Sequence, residues 1–108
     1  MPFSDKGVVL VDLNGQIAFA NTCFCDLVGA KVKNIAGTSC FDFVFPEDMD
    51  KAKQLFEINK LPNPDPFSFK LRRADGTPIW TDIQGAAMRT AKGEVYAVSA
   101  TITKVKRN

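Results

Sequence analysis

The stretch Phe67-Ser68-Phe69-Lys70-Leu71-Arg72-Arg73-Ala74-Asp75-Gly76-Thr77-Pro78-Ile79-Trp80-Thr81-Asp82-Ile83 alternates apolar and polar side chains on both sides of an Asp-Gly pair. A period of two places Phe67, Phe69 and Leu71, and then Ile79, Thr81 and Ile83, on one face. Asp75-Gly76 supplies the tight turn between them. The segment therefore predicts a strand, a hairpin and a strand. Gly85 and Ala87 continue the same face, and a second turn at Lys92-Gly93 leads to a last strand over 95–103, with Val98, Ala100 and Ile102 aligned. Upstream, three prolines within 61–66 indicate a crossing loop. Before it, a helix is expected to begin at Pro46, with Glu47, Asp48 and Asp50 at the positive end of its dipole, and to close at Lys60. Met49, Ala52, Leu55 and Phe56 form its apolar face. Short apolar clusters between Lys31 and Val44, broken by Gly37, Thr38 and Ser39, suit one or two single-turn helices.

At the start, the apolar run 8–11, the turn Asp12-Leu13-Asn14-Gly15 and the run 17–20 predict a hairpin. Asn21 stands where a helix N-cap belongs, and Gly29 offers the stop. Two strands, helices and three strands make an α+β fold, a five-stranded antiparallel sheet with the helices on one face. A chain of 108 residues, 45% apolar with nine phenylalanines, fills one core, so residues 1–108 are expected to form a single domain with its core at about 7–104.

Composition narrows the function. Basic and acidic residues number 14 and 12, and the basic ones are scattered as far as the Lys104, Lys106, Arg107 tail, which disfavours nucleic acid. No run reaches the roughly 20 apolar residues of a membrane helix, and residues 1–5 lack the features of a secretion signal. The expectation is a cytoplasmic domain with no membrane partner. Three cysteines point to free thiols. Histidine is absent, which removes the usual general base and the usual haem ligand.

Asp12, Gly15, Ile17 and Asn21, then Gly29 and Gly37, the run Asp42-Phe43-Val44-Phe45-Pro46-Glu47-Asp48, Asp75-Gly76 with Trp80, Gly93, and Ile102-Thr103 occur in an order and spacing that resembles the PAS family of sensory domains across nearly the whole chain. The resemblance implies strand order 2-1-5-4-3. It also implies a pocket between the inner sheet face and the short helices, and an outer face that meets partner helices or a second copy. Members of the family bind haem, flavin, chromophores or metabolites, and others have filled cores.

Gly37-Thr38-Ser39-Cys40 falls where the family's flavin light sensors carry Gly-x-Asn-Cys with a photoreactive thiol. Those sensors continue Arg-Phe-Leu-Gln, whereas Phe41-Asp42-Phe43-Val44 follows here. Their ring-binding Asn, Asn and Gln correspond to Leu71, Thr81 and Ile102, which leaves a flavin's polar edge unpartnered. Cofactors are thus not expected, flavin and histidine-ligated haem least of all. Cys23 and Cys25 lie roughly 160° apart around a helix and share no metal ion. The carboxylates at 47, 48 and 50 suit the helix dipole, so no catalytic or metal residues are expected.

The candidate pocket residues are Val9, Val11, Phe24, Ser39, Cys40, Phe56, Phe69, Leu71, Thr81, Ile83, Gly85, Val98, Ala100 and Ile102, with Thr81 and Ser39 as polar handles. Two readings of this face stay open: a cavity near Gly85 and Ala87, or a core filled by phenylalanines. Candidate interface residues on the outer face are Trp80, Lys70 and Arg72. The leading expectation is a non-enzymatic sensor module of a larger signalling protein, a histidine kinase or cyclic-dinucleotide enzyme. It would detect a small apolar ligand or a partner and pass the state to an output domain. A ligand-free homodimerisation module is the alternative. A thiol redox sensor using Cys23, Cys25 or Cys40 is the third, and it requires a thiol titrating below the usual value of about 8.5. The last strand reads Thr101-Ile102-Thr103 where the family often has Asp-Ile-Thr.

Overall fold

The computed structural model describes residues 6–105; residues 1–5 and the Lys106-Arg107 part of the basic tail lie outside the described residues. Strand β1 (Gly7–Asp12) turns back into β2 (Ile17–Ala20). The Asp12 carboxylate fixes that turn by accepting from the amides of Asn14 and Gln16, both at 2.9 Å. Gly15 is required twice over. Its φ is +86°, and a Cβ there would lie 2.7 Å from the Phe41 ring.

One side chain joins the hairpin to the first helix. The Asn21 Oδ1 caps α1 (Thr22–Val28) by accepting from the Phe24 amide at 2.9 Å, and it accepts at the same distance from Val8 in β1. Its Nδ2 donates to the Lys6 carbonyl at 3.0 Å. Helix α1 ends on Gly29 in the left-handed region, and α2 (Val32–Ile35) follows. Single 3-10 turns occupy Cys40–Phe43 and Pro46–Asp48, and α3 spans Met49–Ile58. The helix expected to begin at Pro46 thus starts three residues later. Asp48, at φ −104° and ψ 4°, leaves helical geometry, and its amide closes a three-residue bond to Phe45.

Strands β3 (Phe67–Arg72), β4 (Pro78–Arg89) and β5 (Val95–Lys104) complete one antiparallel sheet in the order β2-β1-β5-β4-β3. This is the expected α+β architecture and strand order. Register sets the inner face: Val9 pairs with Ala100, Val11 with Val98, Ile83 with Ile102 and Leu71 with Ile79. Phe24, Val28, Ile35, Phe43 and Val44 cover that face from the helical side. Phe24 and Phe43 meet edge to face at 5.7 Å, as do Phe41 and Phe56.

At the free edge, Lys70 of β3 reaches Asp48 at 3.6 Å and Glu47 at 3.8 Å and lies over the Phe45 ring. The 3-10 turn at 46–48 is thereby docked against the sheet.

Asn21→Ala removes the helix cap and leaves the Val8 amide without its acceptor. It is expected to destabilise the domain by about 2 kcal/mol, read from urea unfolding midpoints at unchanged m-value.

Candidate ligand cavity

The phenylalanines do not fill the interior. Between the inner sheet face and the helical layer lies a cavity of about 120 Å³. Of the residues expected to form a pocket, Val9, Val11, Phe24, Cys40, Phe56, Phe69, Leu71, Ile83, Val98, Ala100 and Ile102 border it. Phe41, Phe43, Val44, Ala52, Leu55, Asn59 and Phe67 complete the wall.

Three expected residues lie outside the wall, each for a local reason. The Thr81 hydroxyl is fully buried and donates to the Phe69 carbonyl at 2.8 Å, so the neighbouring strand uses it. The Ser39 hydroxyl accepts from the Phe41 amide at 3.1 Å and caps the 3-10 turn. Gly85 is covered by the Asn59 carboxamide: a Cβ on Gly85 would stand 2.6 Å from both the amide nitrogen and the amide oxygen. Neither expected polar handle faces the cavity.

The polar group at the wall is instead Asn59. It follows α3 directly and is 6% exposed, and its Oδ1 is buried with no hydrogen-bond partner among the described residues. A buried acceptor left in this state costs about 1–3 kcal/mol. The sequence carried a signal for it, because position 59 lies three and four residues beyond Phe56 and Leu55 and so extends their helical face.

On the outer face Trp80 is 44% exposed. Lys70 is held by Glu47, Asp48 and the Phe45 ring, and Arg72 is half-buried.

Burial pushes the Cys40 thiol up to about 11, with Asp42 and Asp12 adding to the shift against the lowering effect of a backbone hydrogen bond. Burial, then Asp26, raises Cys25. Neither meets the low-pKa requirement of a redox-sensing thiol. The flavin positions fare similarly: Leu71 and Ile102 are apolar and buried, and the Thr81 hydroxyl is engaged. These residues do not fit that cofactor.

An antiparallel sheet, a cap of short helices and an apolar space between them define an α+β module of the sensory-domain type. A model of the PAS domain family matches residues 5–105, and the chain belongs to that family. It is 31% identical over 93 residues to the C4-dicarboxylate transport sensor protein DctS of Rhodobacter capsulatus, covering 81% of this chain and 14% of that protein. Among solved structures, the PAS domain of a Colwellia psychrerythraea protein superposes with a TM-score of 0.83 at 15% identity, over 97% of this chain and 90% of that one. A PAS domain of an HTR-like protein from Haloarcula marismortui gives 0.77 at 17% identity, over 94% and 83%. The light-state LOV domain of the blue-light photoreceptor Aureochrome1 gives 0.71 at 24%, over 94% and 82%. These likenesses extend to the fold.

Two outcomes are expected. Gly85→Ala should destabilise by about 1–3 kcal/mol by driving a methyl into the carboxamide. Asn59→Ala in the same chain should recover much of that loss, giving a coupling above about 0.5 kcal/mol in a double-mutant cycle. Iodoacetamide should alkylate Cys40 of the folded protein with a rate that rises through pH 11. Unfolded, the same thiol should react with a midpoint near 8.5. Its raised native pKa means that stability is full below the unfolded value and falls as pH climbs between the two.

Proposed function

We propose that this PAS domain is the sensory module of a larger cytoplasmic signalling protein, a histidine kinase or cyclic-dinucleotide enzyme, and that its cavity takes a small apolar molecule. The observation that carries the proposal is the partly open space of about 120 Å³ with an almost wholly apolar wall. Sites of this kind bury most of a ligand's surface and orient it with few polar groups. The relative's role as a sensor protein supports the signalling half, and an output domain elsewhere in the parent protein would receive the state. No described helix is long and apolar enough to cross a membrane.

The dicarboxylate in that relative's name does not transfer to this cavity. No Lys or Arg borders it, and two carboxylates placed among phenylalanine and valine side chains would lose their hydration without compensation. We further propose that the domain works without catalysis, flavin or haem. In support, burial holds the Cys40 thiol protonated, and Leu71 and Ile102 are apolar where a flavin's polar edge would need partners.

The exposed Trp80 supports a second reading, homodimerisation through the outer sheet face without a ligand. Native mass spectrometry of the purified chain separates the two. The expected result is a retained small molecule that is lost on denaturation, with no visible absorbance band. A ligand-free dimer would favour the second reading, and a coloured band would overturn the exclusion of flavin and haem.

A further inference from the structure

Three buried side-chain atoms lack hydrogen-bond partners among the described residues: Asp48 Oδ2, Arg73 Nε and Asn59 Oδ1. Asp48 faces the Lys70 ammonium, and neither it nor Arg73 touches the cavity. Asn59 does border it. We propose that Asn59 is the polar anchor of the cavity, and that the ligand is a neutral, otherwise apolar molecule carrying one hydroxyl, a small phenol or alcohol.

Chemistry selects that class. An orphan amide oxygen is an acceptor, so the group that satisfies it must donate. A carboxylate brings only acceptors and would leave the oxygen as it stands. An ammonium would need a buried counter-charge, and no carboxylate borders the cavity. A hydroxyl donates to the oxygen and carries no charge. Size sets the remainder of the molecule: a cavity of about 150 Å³ in another protein holds benzene, so this space of about 120 Å³, which is open on one side, suits a molecule no larger than about one substituted ring.

Position adds a second argument. The carboxamide lies in the space left by the missing side chain of Gly85, so β4 is shaped to seat it. The amide at position 59 also donates to Leu55, so the anchor is tied to the end of α3. The proposal rests on the cavity being a ligand site, and the test keeps the two claims apart.

Phenol and toluene have nearly the same shape and differ by a hydroxyl against a methyl. Calorimetric titration of each into the 108-residue chain and into its Asn59→Leu variant should show phenol weakened about tenfold by the substitution, as expected for one lost hydrogen bond. Toluene should change less than twofold or bind more tightly. Should Asn59→Leu fail to fold, the unaltered chain still decides: the assigned side-chain amide NMR signals of Asn59 should shift with phenol and stay in place with toluene. Equal losses for both probes, or amide signals that ignore phenol, would overturn the anchor while leaving the cavity as a ligand site. Failure of both probes to bind would overturn both claims.

Discussion

The pairing of the first strand with the last holds this domain together. β1 and β5 are adjacent at the centre of the sheet although they stand at opposite ends of the described chain, so their register is bought with a long loop closure. That register aligns Val9 with Ala100 and Val11 with Val98, which makes one face apolar and obliges the intervening segment to cover it. The cover is made of short helices and single turns, none of which would be stable alone. Side chains pin them at defined points. Asn21 ties α1 to β1, Gly15 admits the Phe41 ring, and Lys70 draws the 46–48 turn to the edge strand.

The cover is assembled from short pieces, and the cavity lies between them and the sheet. Its wall is apolar because both layers are apolar. Its single carboxamide is present because β4 carries glycine where α3 ends. Arg89 strengthens the same corner by donating to the Lys60 carbonyl at 3.1 Å and to the Gly93 carbonyl at 3.0 Å. The end of α3, the start of the crossing loop and the β4–β5 turn are therefore linked through a few polar contacts.

Most of the fold could be read from the sequence because it is written in local periods. Alternation from Phe67 to Ile83, glycines in turns and Asn21 at a cap each have a cause within a few residues. The same alternation picked out the sheet side of the cavity wall, while Phe41, Phe43, Val44, Ala52 and Leu55 on the helical side were not among the expected pocket residues. What the sequence concealed depends on which neighbour a polar group finds. Alternation correctly puts Thr81 inside, but only the β3–β4 register shows its hydroxyl spent on the Phe69 carbonyl. Ser39 is spent on its own turn, and Lys70 on a turn that docks from 22 residues earlier in the chain. Asn59 lies on a legible helical face, yet its importance arises from Gly85, which belongs to another element. Pro46 signalled a helix start correctly in kind but three residues early, since Asp48 interrupts the helical geometry.

The central position of β1 and β5 has a mechanical consequence. Gly7 stands opposite Ile102, on strands about 4.8 Å apart. Segments joined to the two ends of the domain would emerge side by side and in opposite chain directions. A small shear between these strands would be transmitted to both segments at once, with the sheet acting as the fulcrum and the connected chains as the lever arms.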